Sequence, residues 1–563
     1  MSRNNTEKKN NIFGRMKVTA ALLALNIFMF VILGPTEVFY ANYSDFDFEF
    51  KDFIFMFLGI GALLWILGSV VISVLPDKIN KFINALIFAF GLSFYFQNML
   101  LNPKLMGTVG NAMDWASLKG VTISNTIIWI IMFICYFAIA FFEKEKRDKI
   151  CIYTSIFLIL VQIVAFSSLV YKLQGDEYKS SHYKLSPVGE YELAKDENVI
   201  ILLLDATSER FFEEEVKKSP EILDGLEDFT YYNNANSKYN YTFPAIPYML
   251  TLEDPDCTIT TNEYKKRAWT EGKSKEIHDK LNENGYSYNL YTGSGRAVYL
   301  DASYLKGSID NVEEASNISY KLDYGEMFYL FAKTSLYKYA PYIVKPYLEV
   351  QSFYFDGITS FEGVSACIES NASYYEVLCN KGLSIDDSME KAVIITHLSG
   401  VHTPFDINEK GEKVPESETD IKKVRLGINL MLEKYFDELK RLDLYDSSTI
   451  IITADHGQYK DALDPQPIYL IKPAGQVMDK MGYNKAPISS EDFIPTIIYL
   501  AGQDASVYGT SIFEIFEDEE RERKCCFPGK GFEVYTYTGD KEVLRNEIEN
   551  GKYTRIDATE DWD

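Results

Sequence analysis

The stretch NVIILLLDATSER, residues 198–210, decides the fold of the larger half of this chain. Val199 to Leu204 form a continuous apolar run, which suits a strand buried on both faces of a parallel sheet. Asp205 stands at its C-terminal end. The same layout recurs twice. In KAVIITHLSGVH, residues 391–402, Val393 to Ile395 lead into His397 and His402, and in STIIITADHG, residues 448–457, Ile450 to Ile452 lead into Asp455 and His456. Amphipathic helical patterns lie between, as around Ile421 to Leu442, so an α/β domain with a central, mostly parallel sheet is predicted. Open sheets of this kind bind ligands beyond the carboxyl ends of their strands. Three strands here deliver Asp or His to that one edge.

Histidine usage sharpens the point. The chain has five, His182, His278, His397, His402 and His456, and three of them occupy these strand ends. One such His is more often a satisfied structural residue than a ligand, but three on one edge with two Asp read as a site. A fourth element is YNYTFPAIPYML, residues 239–250, where Thr242 precedes a Pro-punctuated segment. A hydroxyl beside a divalent ion becomes a usable nucleophile near neutral pH. Two carboxylates and an imidazole suit such an ion, whether zinc, manganese or magnesium. Asn240-Tyr241-Thr242 also matches a glycosylation acceptor, but a glycan there would block the nucleophile, and the match is read as chance.

Upstream of this domain the composition changes. Apolar runs near 17–40, 53–75, 82–101, 124–142 and 149–171 each approach the roughly 20 residues that cross hydrocarbon. Residues 1–172 are therefore expected to be a five-helix transmembrane domain, 173–196 a polar linker, and 197–563 a globular domain. From about 514 onward the globular domain should end in antiparallel structure. Arg3, Lys8, Lys9, Arg15 and Lys17 flank the first run; Lys78 and Lys81, then Lys144, Lys146, Arg147 and Lys149, fall on the same side of the membrane. By the positive-inside rule that side is cytoplasmic, which places everything after about residue 172 outside a multi-pass anchor in the cell membrane.

Net charge of -25 and the lack of a basic stripe exclude a nucleic-acid partner. Of the seven cysteines, Cys367 and Cys379 could close a short bridge outside the cell, although spacing does not fix pairing, and no Cys/His knuckle occurs.

The order Asp205, Thr242, HLSGVHTPF, then ADHG resembles the alkaline phosphatase superfamily. Within it, five spans followed by an outer catalytic domain look like the lipoteichoic acid synthase and lipid A phosphoethanolamine transferase families, a sulfatase-like architecture. TFPAIPYM from Thr242 is similar to the nucleophile motif of the ethanolamine transferases, and His397-x-x-Gly400-x-His402-x-Pro404 to their substrate-side histidine motif. The resemblance implies that Asp205, Thr242, Asp455 and His456 bind one metal, with Thr242 as nucleophile. It also implies that His402 meets the substrate phosphate or leaving group and that His397 serves the same surface. Arg296, in YTGSGRAVYL, is a further candidate phosphate contact. Three positions depart from the pattern. Asp205 stands where both families usually have Glu, Gln458 replaces the acidic residue that commonly follows Asp-His-Gly, and no later His-Gly pair is present.

The activity this resemblance implies is that of a transferase, which moves a phosphoglycerol or phosphoethanolamine headgroup from a membrane phospholipid donor to an envelope glycan or glycolipid acceptor through phospho-Thr242. An extracytoplasmic phosphodiesterase or sulfatase-like hydrolase is the alternative. Against a sulfatase, Thr242 is neither the Cys nor the Ser of a C/S-x-P-x-R motif and lacks its following Arg. A non-catalytic scaffold is the third reading, and stoichiometric metal would separate it from the other two. The sequence does not specify the oligomeric state.

Overall fold

The computed structural model describes residues 2–43, 46, 48–102, 115, 117–174, 183–293, 295–299, 301–314, 317, 320–350, 354–355, 358–361, 364–365, 367, 369–459 and 462–558. It divides into two compact units, one made of Met1–Ser180 and Tyr320–Ser360, the other of Ser181–Ser319 and Phe361–Asp563.

The first unit contains five helices long and apolar enough to cross a membrane: Ile12–Ala41, Phe50–Val74, Asp77–Leu100, Lys119–Phe141 and Lys144–Lys172. Their exposed faces are apolar, with Leu63, Leu64, Ile127 and Val164 among the exposed side chains, as a surface for lipid requires. Some polar side chains face inward and pair. Thr19 donates to Asn84 Oδ1 at 3.0 Å and Asn84 to Asn80 Oδ1 at 3.1 Å. The chain is thus built for membrane anchoring. Residues 320–360 belong by contact to this unit, although they lie in the part of the sequence expected to be globular. Their helix, Tyr324–Tyr339, buries Met327, Leu330, Phe331, Thr334 and Ser335, a helical-period stripe. Phe331 stacks on Phe53 of the second span, with ring centroids 5.2 Å apart.

In the second unit, seven strands form one sheet: β1 (Glu197–Leu204), β2 (Thr230–Tyr232), β3 (Tyr286–Thr292), β4 (Lys391–Leu398), β5 (Thr449–Thr453), β6 (Tyr469–Lys472) and β7 (Gly482–Asn484). The spatial order is β7-β2-β6-β5-β1-β4-β3. β5, β1, β4 and β3 run parallel, and β6 alone is reversed. The expected mostly parallel sheet is present. β1 and β4 are buried along nearly their whole length because the core covers both faces, which is why neither strand alternates in sequence. The helix Ile421–Arg441 helps to cover the sheet. Asp420 caps it by accepting from the N–H groups of Lys422 and Lys423, and Val424, Ile428, Met431, Leu432, Tyr435, Phe436 and Leu439 are buried along it.

Two boundaries differ from expectation. The segment read as a linker already carries short strands at Tyr183–Leu185 and Glu192–Ala194, paired with Val312–Glu314 and Ser384–Asp386 of the globular unit. The C-terminal part forms its own three-stranded antiparallel sheet, β8 (Glu522–Gly529), β9 (Gly531–Thr538) and β10 (Thr554–Asp557), rather than an edge of the large one. No Cys367–Cys379 bridge is formed: Cys367 is buried and Cys379 exposed.

Candidate metal and nucleophile site

The parallel register of β5, β1 and β4 brings their C-terminal ends level, so the residues beyond them converge. Asp205, Asp455 and His456 each offer a ligand atom, and these atoms all lie within 4.8 Å of one another, a grouping able to hold a metal ion. His456 Nε2 is 3.5 Å from Asp205 Oδ1 and 3.7 Å from Asp455 Oδ2. These separations are longer than a direct hydrogen bond. Asp205 Oδ1 and Asp455 Oδ2 are buried with no hydrogen-bond partner. Such atoms are costly unless something else satisfies them, and a cation between them would do so.

Electrostatics agree. Burial, then the charges of Asp455 and Glu369, push the Asp205 carboxyl well above its usual range. Burial pushes in the same direction on Asp455, but its neighbours, His456 foremost and with them the hydrogen bond from Thr242, outweigh it and hold that carboxyl below its ordinary value. Negative charge is therefore crowded into a dry space, the situation that a divalent ion relieves. His456 Nδ1 lies 3.0 Å from the Gly457 carbonyl, so it carries the proton and Nε2 presents a lone pair to the site.

Thr242 begins the helix Thr242–Thr251 and is half-buried. Its Oγ1 is 3.5 Å from Asp205 Oδ2 and 3.4 Å from His456 Nε2, so the hydroxyl belongs to the same cluster. The segment before it is held by β8. Cys526 N–H donates to Lys238 O at 2.7 Å, Asn240 N–H to Cys526 O at 3.1 Å, and Asn236 Nδ2 to Lys524 O at 2.8 Å. Ser237 Oγ donates to the Asp455 carbonyl at 2.6 Å, which ties this segment to the ligand loop.

Of the remaining candidates, His397 is buried. Its Nδ1 meets Thr292 Oγ1 at 3.0 Å, and its Nε2, without a hydrogen-bond partner, is 3.9 Å from Asp205 Oδ2. His397 and Thr292 are register partners on β4 and β3. Burial lowers its pKa, which favours neutral imidazole. It lies near the end of β4, beside the Asp205 carboxylate. His402 is half-buried on the loop after β4, close enough for its charge to act on His397. Arg296 lies in the short helix Gly295–Val298, and its side chain is outside the described residues.

Glu369 and Thr292 were not singled out in the sequence. Glu369 acts electrostatically on both Asp205 and His397. Gly400, at φ +52°, lets the loop after β4 cross the Asp205 backbone, since a Cβ there would lie 2.6 Å from Asp205 N. The HxxG spacing is the only sequence signal for it.

No family model matches the chain, and neither does any curated protein. Among solved structures, three are similar to about two thirds of this chain. A protein in the alkaline phosphatase superfamily from Vibrio parahaemolyticus is 17% identical with a TM-score of 0.38, over 66% of this chain and 84% of that one. The lipoteichoic acid synthase LtaP from Listeria monocytogenes is 16% identical with a TM-score of 0.33, over 62% and 83%. The C-terminal periplasmic domain of EcEptC from Escherichia coli, in complex with Zn, is 13% identical with a TM-score of 0.37, over 66% and 98%. All three likenesses are distant.

Proposed function

We propose that the chain is a membrane-anchored, metal-dependent transferase that moves a phosphoglycerol or phosphoethanolamine headgroup from a phospholipid to an envelope glycan or glycolipid, with its globular unit outside the cytoplasmic membrane. The observation that carries this reading is the position of Thr242 Oγ1, within 3.5 Å of both Asp205 and His456 and beside two buried carboxylate oxygens that lack partners. Asp205, Asp455, His456 and Thr242 are the residues that would hold a zinc, manganese or magnesium ion. When bound, such an ion would favour the deprotonated Thr242 oxygen and would offset charge on the phosphoryl oxygens.

In the first half-reaction the Thr242 oxygen bonds to the donor phosphorus while the bond from phosphorus to the diacylglycerol oxygen breaks. His402, on the accessible side, gives its proton to that departing oxygen. In the second, His402 takes the proton of the acceptor hydroxyl, the acceptor oxygen bonds to phosphorus, and Thr242 is released unchanged. His397 steadies Asp205, and Thr292 orients His397.

Mass spectrometry of the Thr242 peptide from enzyme isolated with its membranes tests the mechanism. A phosphoglycerol or phosphoethanolamine adduct on Thr242, lost in Thr242→Ala, is the expected result and names the headgroup. Normal turnover by Thr242→Ala would sink the covalent route.

A further inference from the structure

Residues 320–360 come from the globular part of the sequence yet build on the membrane spans. The depth at which they do so is readable. The first span widens into a π turn over Phe28–Leu33, and Gly34 N–H bonds to Met29 O instead of Phe30 O. Pro35 comes next and has no N–H to give. The Phe30 carbonyl is thus freed inside an apolar span, where an unpaired backbone group is costly. Ser335 Oγ donates to it at 2.9 Å. Gly34 makes the approach possible, because a Cβ there would overlap the Ser335 hydroxyl.

Phe30 lies eleven residues before the end of that helix at Ala41, roughly 16 Å along the axis at ~1.5 Å per residue. Further anchors are the Lys338–Glu37 ion pair at 2.6 Å, Asn102 Nδ2 to Lys338 O at 2.8 Å, and Tyr342 N–H to Asn125 Oδ1 at 3.0 Å. They join residues 320–360 to the first, third and fourth spans at the end remote from Arg15 and Lys17.

The side turned away from the spans is also apolar. Tyr324, Tyr329, Leu336, Ile343, Val344 and Tyr347 are exposed, Tyr347 by 82%. Sixteen helical residues are too few to span a bilayer. Tyrosines with one apolar and one polar end gather at the boundary between headgroups and acyl chains.

We infer that residues 320–360 form a membrane-interface element, with Tyr329, Leu336, Ile343, Val344 and Tyr347 seated in the lipid at the headgroup boundary. The occupant of this surface is the bilayer. Continuity with the lipid-facing spans and the depth fixed by Ser335 select it over a protein partner, and the inference stands independently of the reaction proposed above.

Full-length protein in phosphatidylglycerol/phosphatidylcholine vesicles tests this. In a Cys135→Ser, Cys379→Ser background, Ile343→Cys and Tyr347→Cys are labelled separately with an environment-sensitive fluorophore. Leu64→Cys in the second span and Lys530→Cys in the globular unit serve as references. The expected result at 343 and 347 is a blue-shifted emission that shallow nitroxide lipids quench and aqueous iodide does not. Quenching by iodide as at 530 would overturn the inference. So would shielding from both quenchers, which would mean that protein, from this chain or a second copy, covers the surface. Labels at two exposed positions keep the test decisive if one variant misfolds.

Discussion

Among its described residues the globular unit contains two places where histidine meets aspartate, and they are built in opposite ways. At His278, Nε2 lies 2.8 Å from Asp310 Oδ1, Asn282 donates to Nδ1 at 3.1 Å, and the second Asp310 oxygen accepts the Tyr288 N–H at 2.7 Å. Both ring nitrogens and both carboxylate oxygens are served. At His456 the carboxylates stand 3.5 and 3.7 Å away, and one oxygen of each is buried without a partner. A structural pair closes on itself, whereas a ligand set is held open for something else. The same residue types therefore separate into framework and chemistry by geometry alone.

Four experiments press on that contrast. The largest effect is expected from Thr242→Ala, which should cost on the order of 10³-fold or more in turnover, as loss of a nucleophile does. Headgroup release from labelled phospholipid would measure it. Next, Asp455→Asn or His456→Ala should each lower bound metal well below one ion per chain by plasma mass spectrometry and reduce turnover by about 10²-fold or more. His278→Ala should leave both unchanged. If His278→Ala also lost the ion, the distinction drawn between the two pairs would be wrong.

Thr292→Val is expected to fall between, with roughly a 10-fold loss in kcat through a misoriented His397, and Thr292→Ser should restore it. A stability loss in Thr292→Val without a kinetic one would reduce Thr292 to packing. The smallest effect belongs to the closed pair. Asp310→Asn should cost about 1–3 kcal/mol in denaturant unfolding at neutral pH. The contacts of Asp310, with His278 foremost, overcome burial and lower its folded pKa below 3.8. Its stabilisation is therefore complete above the unfolded value and is lost as pH falls through the folded one. The gap between wild type and Asp310→Asn should accordingly narrow under acid. A gap that widened there would reverse the sign assigned to this pair.

Much of the site was legible because buried strands announce themselves. The unbroken runs before Asp205, His397 and Asp455 fixed both the sheet and the edge at which those residues meet. Thr242 was legible only through its motif, since nothing in the composition of its neighbours marks a reactive hydroxyl. His397 was placed on the right edge, but neither its approach to Asp205 nor its Thr292 partner could be read, because a strand pattern gives level and not depth. Glu369 and Thr292 carry no local signal at all; each matters only through what the register sets beside it. Residues 320–360 failed for another reason. Their single helix is shorter than any span, so hydropathy counted them as globular, while their partners lie some 300 residues away in sequence.

The hold of β8 on the nucleophile segment also bears on time. Arg523 bonds to Asn234 across 289 positions, and Cys526 reaches back to Lys238 and Asn240. A chain made from its N-terminus can form none of these contacts until residues 523–526 have been synthesised. Closing so long a loop is also entropically late. The spans and the parallel strands can take shape while the ribosome is still working, but Thr242 receives its final support only when the last sheet arrives. A chain truncated before residue 522 should therefore reach the membrane with the Thr242 segment lacking that support.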